Sequence, residues 1–441
     1  MANTASSSLA GPKQASYVQA LSILGILYFM MGFVTWVNGT LIPFLQIACN
    51  LNISEALLVT FAFYMAYFVL AVPSSFVINK TGFKNGMALS LVVMAVGSLI
   101  FIPAANSRSF GLFLTGLFVQ GAGLSLLQTA SNPYVSIIGP IESAAKRISI
   151  MGICNKIAGA ISPLVLGAIV LKNATSLEQQ IAQTTDAAQK ALLLDSLASR
   201  VIMPYIVIAI VLVLVAIMIN RSSLPEIETA DAPEEAGAVV ATKRTSIFQY
   251  PYLLLGVLCI FVYVGVEVMA GDVIGTYGKS LGMSLDKTKY FTSFTLVAML
   301  VGYITGIITI PKYLSQDMSL RISAILGIVF TVGAFFSTGY MAVTFIALLG
   351  LANALMWPAI WPLAIYKLGR FTKIGSALLV MGIAGGAILP QIYGGLYNSK
   401  SLFNFLFSES IDFRHAFLYC MVPCYIYILY YAVAGHKVGK R

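Results

Sequence analysis

Charge is what this sequence has least of. Of 441 residues only 10% are Asp, Glu, Lys or Arg, and just 16 are acidic. A soluble domain is about 25% charged, so a water-facing surface for a chain of this length cannot be built from this supply. Histidine is nearly absent. His415 and His436 fall in or beside terminal loop regions, which leaves no nucleophile–base or metal constellation for a membrane-embedded enzyme. The five cysteines (Cys49, Cys154, Cys259, Cys420, Cys424) sit in or at the ends of apolar stretches with no His or acidic cluster beside them. That excludes a disulfide scaffold and points to no metal site. No phosphate-binding glycine loop occurs, which excludes an ATP-driven pump, and no cofactor is expected. The opening MANTASSSLAGPKQAS lacks the charged-then-apolar pattern of a signal peptide.

What the chain has instead is apolar length: 59% of it is hydrophobic. A bilayer core needs about 20 apolar residues per helix. Stretches that satisfy this fall near 18–48, 54–78, 85–103, 110–138, 148–171 and 201–221, then near 250–278, 288–311, 320–337, 341–366, 374–397 and 413–434. The expected fold is an all-α membrane protein of twelve transmembrane helices in two six-helix bundles. The bundles cover 18–221 and 250–434, between tails at 1–17 and 435–441. Five of the sixteen acids lie in 222–245, so 222–249 reads as a linker on the cytoplasmic side.

The net charge of +10 needs no nucleic acid to explain it. Basic residues are retained on the cytoplasmic side of membrane proteins. With the N-terminus inside, 16 Lys and Arg fall on that side, nine outside, and one, Lys156, within a span. Both termini are therefore expected in the cytoplasm, in a multi-pass protein of the inner (plasma) membrane, the expected partners being the bilayer and a small molecule, with a monomer as the default. The 172–200 loop, with Leu177, Ile181, Leu192 and Leu193 among polar residues, reads as a short amphipathic surface helix or an ordered coil.

The halves repeat. SNPYVSIIGPIESAAKRISIMGICNKIAGAISPLVLGAI in the first matches IWPLAIYKLGRFTKIGSALLVMGIAGGAILPQIYGGL in the second, with Pro133 and Pro163 answering Pro362 and Pro390. Repeated bundles place a substrate site at the repeat interface, which is how secondary transporters are built.

The two-times-six plan, with the loop Ser75-Phe-Val-Ile-Asn-Lys-Thr-Gly-Phe-Lys84 after the second span, resembles the major facilitator superfamily. A closer resemblance is to its fucose/glucose/galactose permease branch. It is carried by Val37-Asn-Gly-Thr-Leu-Ile-Pro43, Leu127-Gln-Thr-Ala-Ser-Asn-Pro-Tyr134, Asn155, Tyr263-Val-Gly-Val-Glu-Val268 and Gly385-Gly-Ala-Ile-Leu-Pro390, over roughly 18–434. The resemblance implies a sugar transporter, commonly an ion-coupled symporter. Proton-coupled fucose members carry an Asp after the first-span Asn and a Glu in the fourth span, where this chain has Gly39 and Gln128. The Gln is shared with glucose/galactose-type members and implies a hexose.

Three charges remain inside the spans: Lys156, Glu267 and Asp272. Each costs at least about 2.5–3.5 kcal/mol at mid-bilayer, so each needs a partner or water. Gly32 precedes Gly39 by seven residues, as Gly265 precedes Asp272. Asp272 thus stands at the repeat-equivalent of the acid that proton-coupled relatives carry in the first half. It is expected to couple protons. A fixed salt bridge to Lys156 and a sodium ligand are the alternatives. Glu267 either binds sugar hydroxyls, as the resemblance implies, or tethers two helices. Lys156 is a counter-cation for Asp272 or Glu267, or it snorkels to the inner membrane surface.

A sugar needs amides for its hydroxyls and aromatic faces for its C–H patches. Candidate amides are Asn38, Gln128, Asn132, Asn155, Asn353 and Gln391; candidate aromatics are Trp36, Tyr263, Tyr277, Trp357, Trp361 and Tyr393. Symport of a hexose with protons is the leading expectation, then sodium symport or facilitated diffusion. Drug efflux fits less well, because a pocket for apolar cations favours acids over amides.

Overall fold

A computed structural model describes residues 14–138, 144–222, 224, 246–310, 313–366, 368, 371–397 and 411–440. The N-terminal tail to residue 13 and most of the expected linker lie outside the described residues. All the regular elements among the described residues are helices. Among the described residues, eleven helical stretches are long and apolar enough to cross a bilayer. One of them, Ile53–Asn106, is 54 residues long, about 80 Å at 1.5 Å per residue. That is more than twice a hydrocarbon core. It breaks at Gly82, whose φ of 78° takes it out of the helix, and so supplies two crossings. Twelve spans result, as the sequence predicts.

Gly82 lies in the loop between spans 2 and 3, where the chain must reverse, and a side chain at positive φ is strained. Lys84 then fastens this loop, its Nζ donating to the Ser222 carbonyl at 2.8 Å. Glycines inside the spans serve a different purpose. A Cβ on Gly121 would run into the Phe63 carbonyl, and one on Gly385 into that of Phe261. These glycines let helix backbones touch, which is how helices associate where lipid removes the hydrophobic drive. Outward-facing Ile210, Leu214, Ile325 and Val329 are exposed, as lipid-contacting residues should be.

Spans 1 and 7, which correspond across the repeat, are both interrupted. Span 1 runs as Gln14–Trp36 and resumes as Asn38–Ala48; span 7 runs as Pro251–Gly271 and resumes as Ile274–Ser280. Interrupted helices mark binding sites in many transporters; here the residues at both interruptions keep helical dihedrals and backbone hydrogen bonds.

The 172–200 loop corrects its expectation. It forms two helices, Ala174–Gln183 and Ala187–Ser199, not one. Leu177 and Ile181 are buried as expected, but Leu194 and Leu197 fill the second helix's inner face while Leu192 is 69% exposed. The first of these helices crosses to the other half. Glu178 pairs with Lys279 at 2.6 Å, and the Asp286 carboxylate accepts from the Thr175 backbone N–H at 3.3 Å. Lys289 Nζ donates to the Leu171 carbonyl at 2.9 Å. The two halves are therefore tied at the end of the molecule away from its termini, here called the distal face.

Candidate functional site

The broken segments of spans 1 and 7 meet. Asp272 caps the first piece of span 7 and is fully buried. Around it stand Glu267, the backbone N–H of Gly39, the Tyr64 hydroxyl and Lys156. The hydroxyl and the N–H do not reach hydrogen-bond geometry, so both carboxylate oxygens are buried without a partner. Gly39 is in the first turn of the resumed span 1 helix, and its backbone N–H is turned toward Asp272. A side chain at 39 has no room, because a Cβ there would strike the Thr292 hydroxyl. The carboxyl that the resemblance leads one to expect from span 1 arrives instead from span 7, beside the same backbone.

Lys156 settles on Glu267, not on Asp272. Its Nζ donates to Glu267 Oε1 at 2.8 Å, with the two side chains 8% and 11% exposed. The snorkelling alternative is thereby corrected: the ammonium is inside the bundle, bridging span 5 of one half to span 7 of the other. The fixed Asp272–Lys156 bridge is corrected too. The ammonium also lies 4.5 Å from the centre of the Trp36 ring, close enough for a cation–π attraction. Trp36 is itself 3% exposed. Its indole fills notches left by Gly159 and Gly271, where any Cβ would collide with it.

The remaining candidates divide by exposure. Half-buried are Gln128, Asn132, Asn155, Trp357 and Trp361. In the first half, Gln128 Nε2 donates to the Tyr67 hydroxyl at 3.2 Å, the Tyr28 hydroxyl donates to Asn132 Oδ1 at 2.6 Å, and Asn155 Nδ2 reaches the Tyr28 carbonyl at 3.4 Å. In the second half, Trp357 stacks on Trp361 with ring centres 5.3 Å apart, and Tyr263 lies 6.3 Å from Trp357. The hydroxyls of Tyr263 and Tyr303 face Glu267.

Asn38, Asn353 and Gln391 are fully buried, as are Tyr277 and Tyr393. Asn353 holds span 12 by accepting from the Tyr425 hydroxyl at 2.9 Å. Sequence reasoning missed Tyr28, Tyr67, Tyr64 and Thr292, the side chains that orient or confine the candidates. Nothing in their spacing marks them; each is a polar tip in an apolar run.

The arrangement holds a buried carboxylate pair and one ammonium where spans of the two halves meet, with half-buried amides in the first half and stacked indoles in the second. The profile of the Major Facilitator Superfamily matches residues 24–390. The chain belongs to that superfamily. A glucose/galactose transporter of Brucella abortus is 32% identical over 427 residues, 96% of either chain. An L-fucose-proton symporter of Escherichia coli is 28% identical over 385 residues, covering 86% of this chain and 87% of that one. The crystal structure of the superfamily transporter FucP in its outward conformation matches with a TM-score of 0.70 and 26% identity, over 95% of this chain and 98% of that one. These place the chain in the fucose/glucose/galactose permease branch. It is a membrane transporter and not an enzyme.

Proposed function

We propose that this protein moves a hexose of the glucose or galactose type across the plasma membrane together with a proton, by alternating access. The observation that carries the coupling is the buried Asp272, without a hydrogen-bond partner, beside a Glu267 that already has its own ammonium. Leaving a carboxylate ionised in such a place costs several kcal/mol. Taking up a proton removes that cost, and Asp272 stands where spans 1 and 7 cross, so its charge bears on how the halves fit. A sodium ion is disfavoured at this point by the nearby Lys156. The relatives named glucose/galactose transporter and L-fucose-proton symporter support a sugar as cargo and a proton as partner.

The sugar lies between Gln128, Asn132 and Asn155 on one side and Trp357 and Trp361 on the other, with Glu267 and Tyr263 within reach. Indole faces cover C–H patches while amides and the carboxylate take the hydroxyls. Trp36, Asn38, Asn353 and Gln391 belong to the packing around this space. The bundles 18–221 and 250–434 rock about it, joined by the 222–249 segment, with both termini in the cytoplasm.

The test is labelled-hexose uptake into proteoliposomes under a proton gradient, a sodium gradient or neither. Proton-driven accumulation is expected. Asp272→Asn should abolish accumulation yet keep sugar counterflow, which needs no driving ion. Accumulation by the variant with unchanged proton dependence, or uptake driven by sodium alone, overturns the coupling.

A further inference from the structure

Glu267 and Trp36 together make a cation site, and the protein fills it with its own side chain. Three features define the site. A carboxylate oxygen lies 2.8 Å from Lys156 Nζ, and an indole face lies 4.5 Å from it. The surroundings are dry, with Lys156 7% and Glu267 9% exposed. The indole packs closely on Gly159 and Gly271, in one buried cluster with Leu296, Met299 and Tyr303.

The donor set is wrong for a metal ion. Sodium and other hard cations collect several oxygens, whereas the Lys156 ammonium is hydrogen-bonded to one, Glu267 Oε1, and otherwise lies against a ring. A carboxylate with an aromatic face is the pairing that suits an organic ammonium. The occupant also joins the halves: Lys156 comes from span 5, Trp36 from span 1 and Glu267 from span 7.

We infer that Lys156 acts as a resident cation in a monovalent ammonium site formed by Glu267 and Trp36, a site that accepts a free alkylammonium once the lysine side chain is cut back. Lys156 is in this sense a positioning residue. It neutralises Glu267 and fixes one carboxylate oxygen, so that the carboxylate is oriented toward the Tyr263 hydroxyl and the sugar. On the reading proposed above, Asp272 is the carboxyl that exchanges the proton. The ammonium site itself stands without that reading.

Lys156→Ala removes three methylenes and the ammonium, the outline of n-propylammonium. In purified full-length protein, the variant should unfold at a lower temperature than wild type and lose tenfold or more in sugar counterflow. Tens of millimolar n-propylammonium should restore much of both, while equal sodium or potassium does not. Tetramethylammonium should also fail, having no N–H to give Glu267. Wild type and Lys156→Ala/Glu267→Gln should ignore the amine. Thermal unfolding needs neither sugar nor gradient, so this result is separable from the failure of Asp272 coupling.

A Lys156→Ala variant as stable and active as wild type overturns the inference, as does rescue by potassium or equal rescue of the double variant. Should Lys156→Ala not yield folded protein, Lys156→Met/Glu267→Gln removes both charges at once while filling the lysine's volume. It should fold. Its failure as well assigns the site to packing and overturns the inference.

Discussion

Asp272 and Gly39 exchange roles across the repeat, and the exchange is steric as much as electrostatic. Where proton-coupled relatives are expected to place an acid, residue 39 is pressed against Thr292 so closely that a single Cβ strikes its hydroxyl. Overpacking of this kind costs about 1–3 kcal/mol. Gly39→Asp should therefore lower the thermal midpoint without restoring an acid's function, and Thr292→Ala should recover part of the loss. A Gly39→Asp protein as stable as wild type would show that the resumed helix has slack the structure does not display. The seven-residue spacing that places Asp272 opposite Gly39 is legible in the sequence. The clash that keeps residue 39 small is not, because Thr292 belongs to another span.

Lys156 makes the same point with charges. Its partner is 111 residues away, and both acids of span 7 were open to it from spacing alone. The choice of Glu267 depends on how span 5 of one half lies against span 7 of the other. Trp36 is the clearest reassignment: an aromatic in a cavity-lining span reads as a sugar platform. The structure buries it between two glycines as the wall of the ammonium site.

At the scale of elements, the 172–200 loop is the part that sequence patterning described least well. Leu192, Leu193, Leu194 and Leu197 are compatible with more than one helical face. Only contact with the rest of the bundle selects Leu194 and Leu197 for burial. The Ala174–Gln183 helix then becomes a strap across the distal face through Glu178–Lys279 and Thr175–Asp286. Exposed ion pairs contribute about 0–1 kcal/mol, so Glu178→Lys should leave stability nearly unchanged. It should still weaken distal closure, read as faster labelling of a cysteine introduced at Ser280. Glu178→Lys/Lys279→Glu should return labelling toward wild type. Identical labelling in all three proteins would mean that the strap does not hold the face shut.

At the scale of the molecule, the C-terminal tail is docked on the second bundle. Lys440 Nζ donates to the Leu363 carbonyl at 3.1 Å and lies over the rings of Tyr252 and Tyr366. His436 is buried, with Nδ1 2.9 Å from the Tyr431 carbonyl. Burial pulls its pKa below the ordinary 6.5, and Lys440 and Lys437 add to this, against the Tyr431 carbonyl and Asp317. A base whose folded pKa is lowered stabilises the fold above its unfolded value and loses that contribution as pH falls below it. Amide exchange over 435–440 should therefore be slower at pH 7.5 than at pH 5.5, after correction for intrinsic rates. His436→Gln should remove the difference; a pH effect that persists in the variant assigns it elsewhere.

The sequence by itself determined the twelve crossings, the two-fold repeat, the branch of the superfamily and the three charges that must be accommodated in the membrane. These follow from local quantities: runs of apolar residues long enough to span a bilayer, and the cost of an ion inside it. Tertiary structure decided which charge meets which, where spans 1 and 7 break against one another, and which candidate side chains remain open to a sugar. Those outcomes depend on distances between helices far apart in the chain. Glycine and tryptophan contacts set those distances at the ångström scale, a quantity that helical periodicity does not encode.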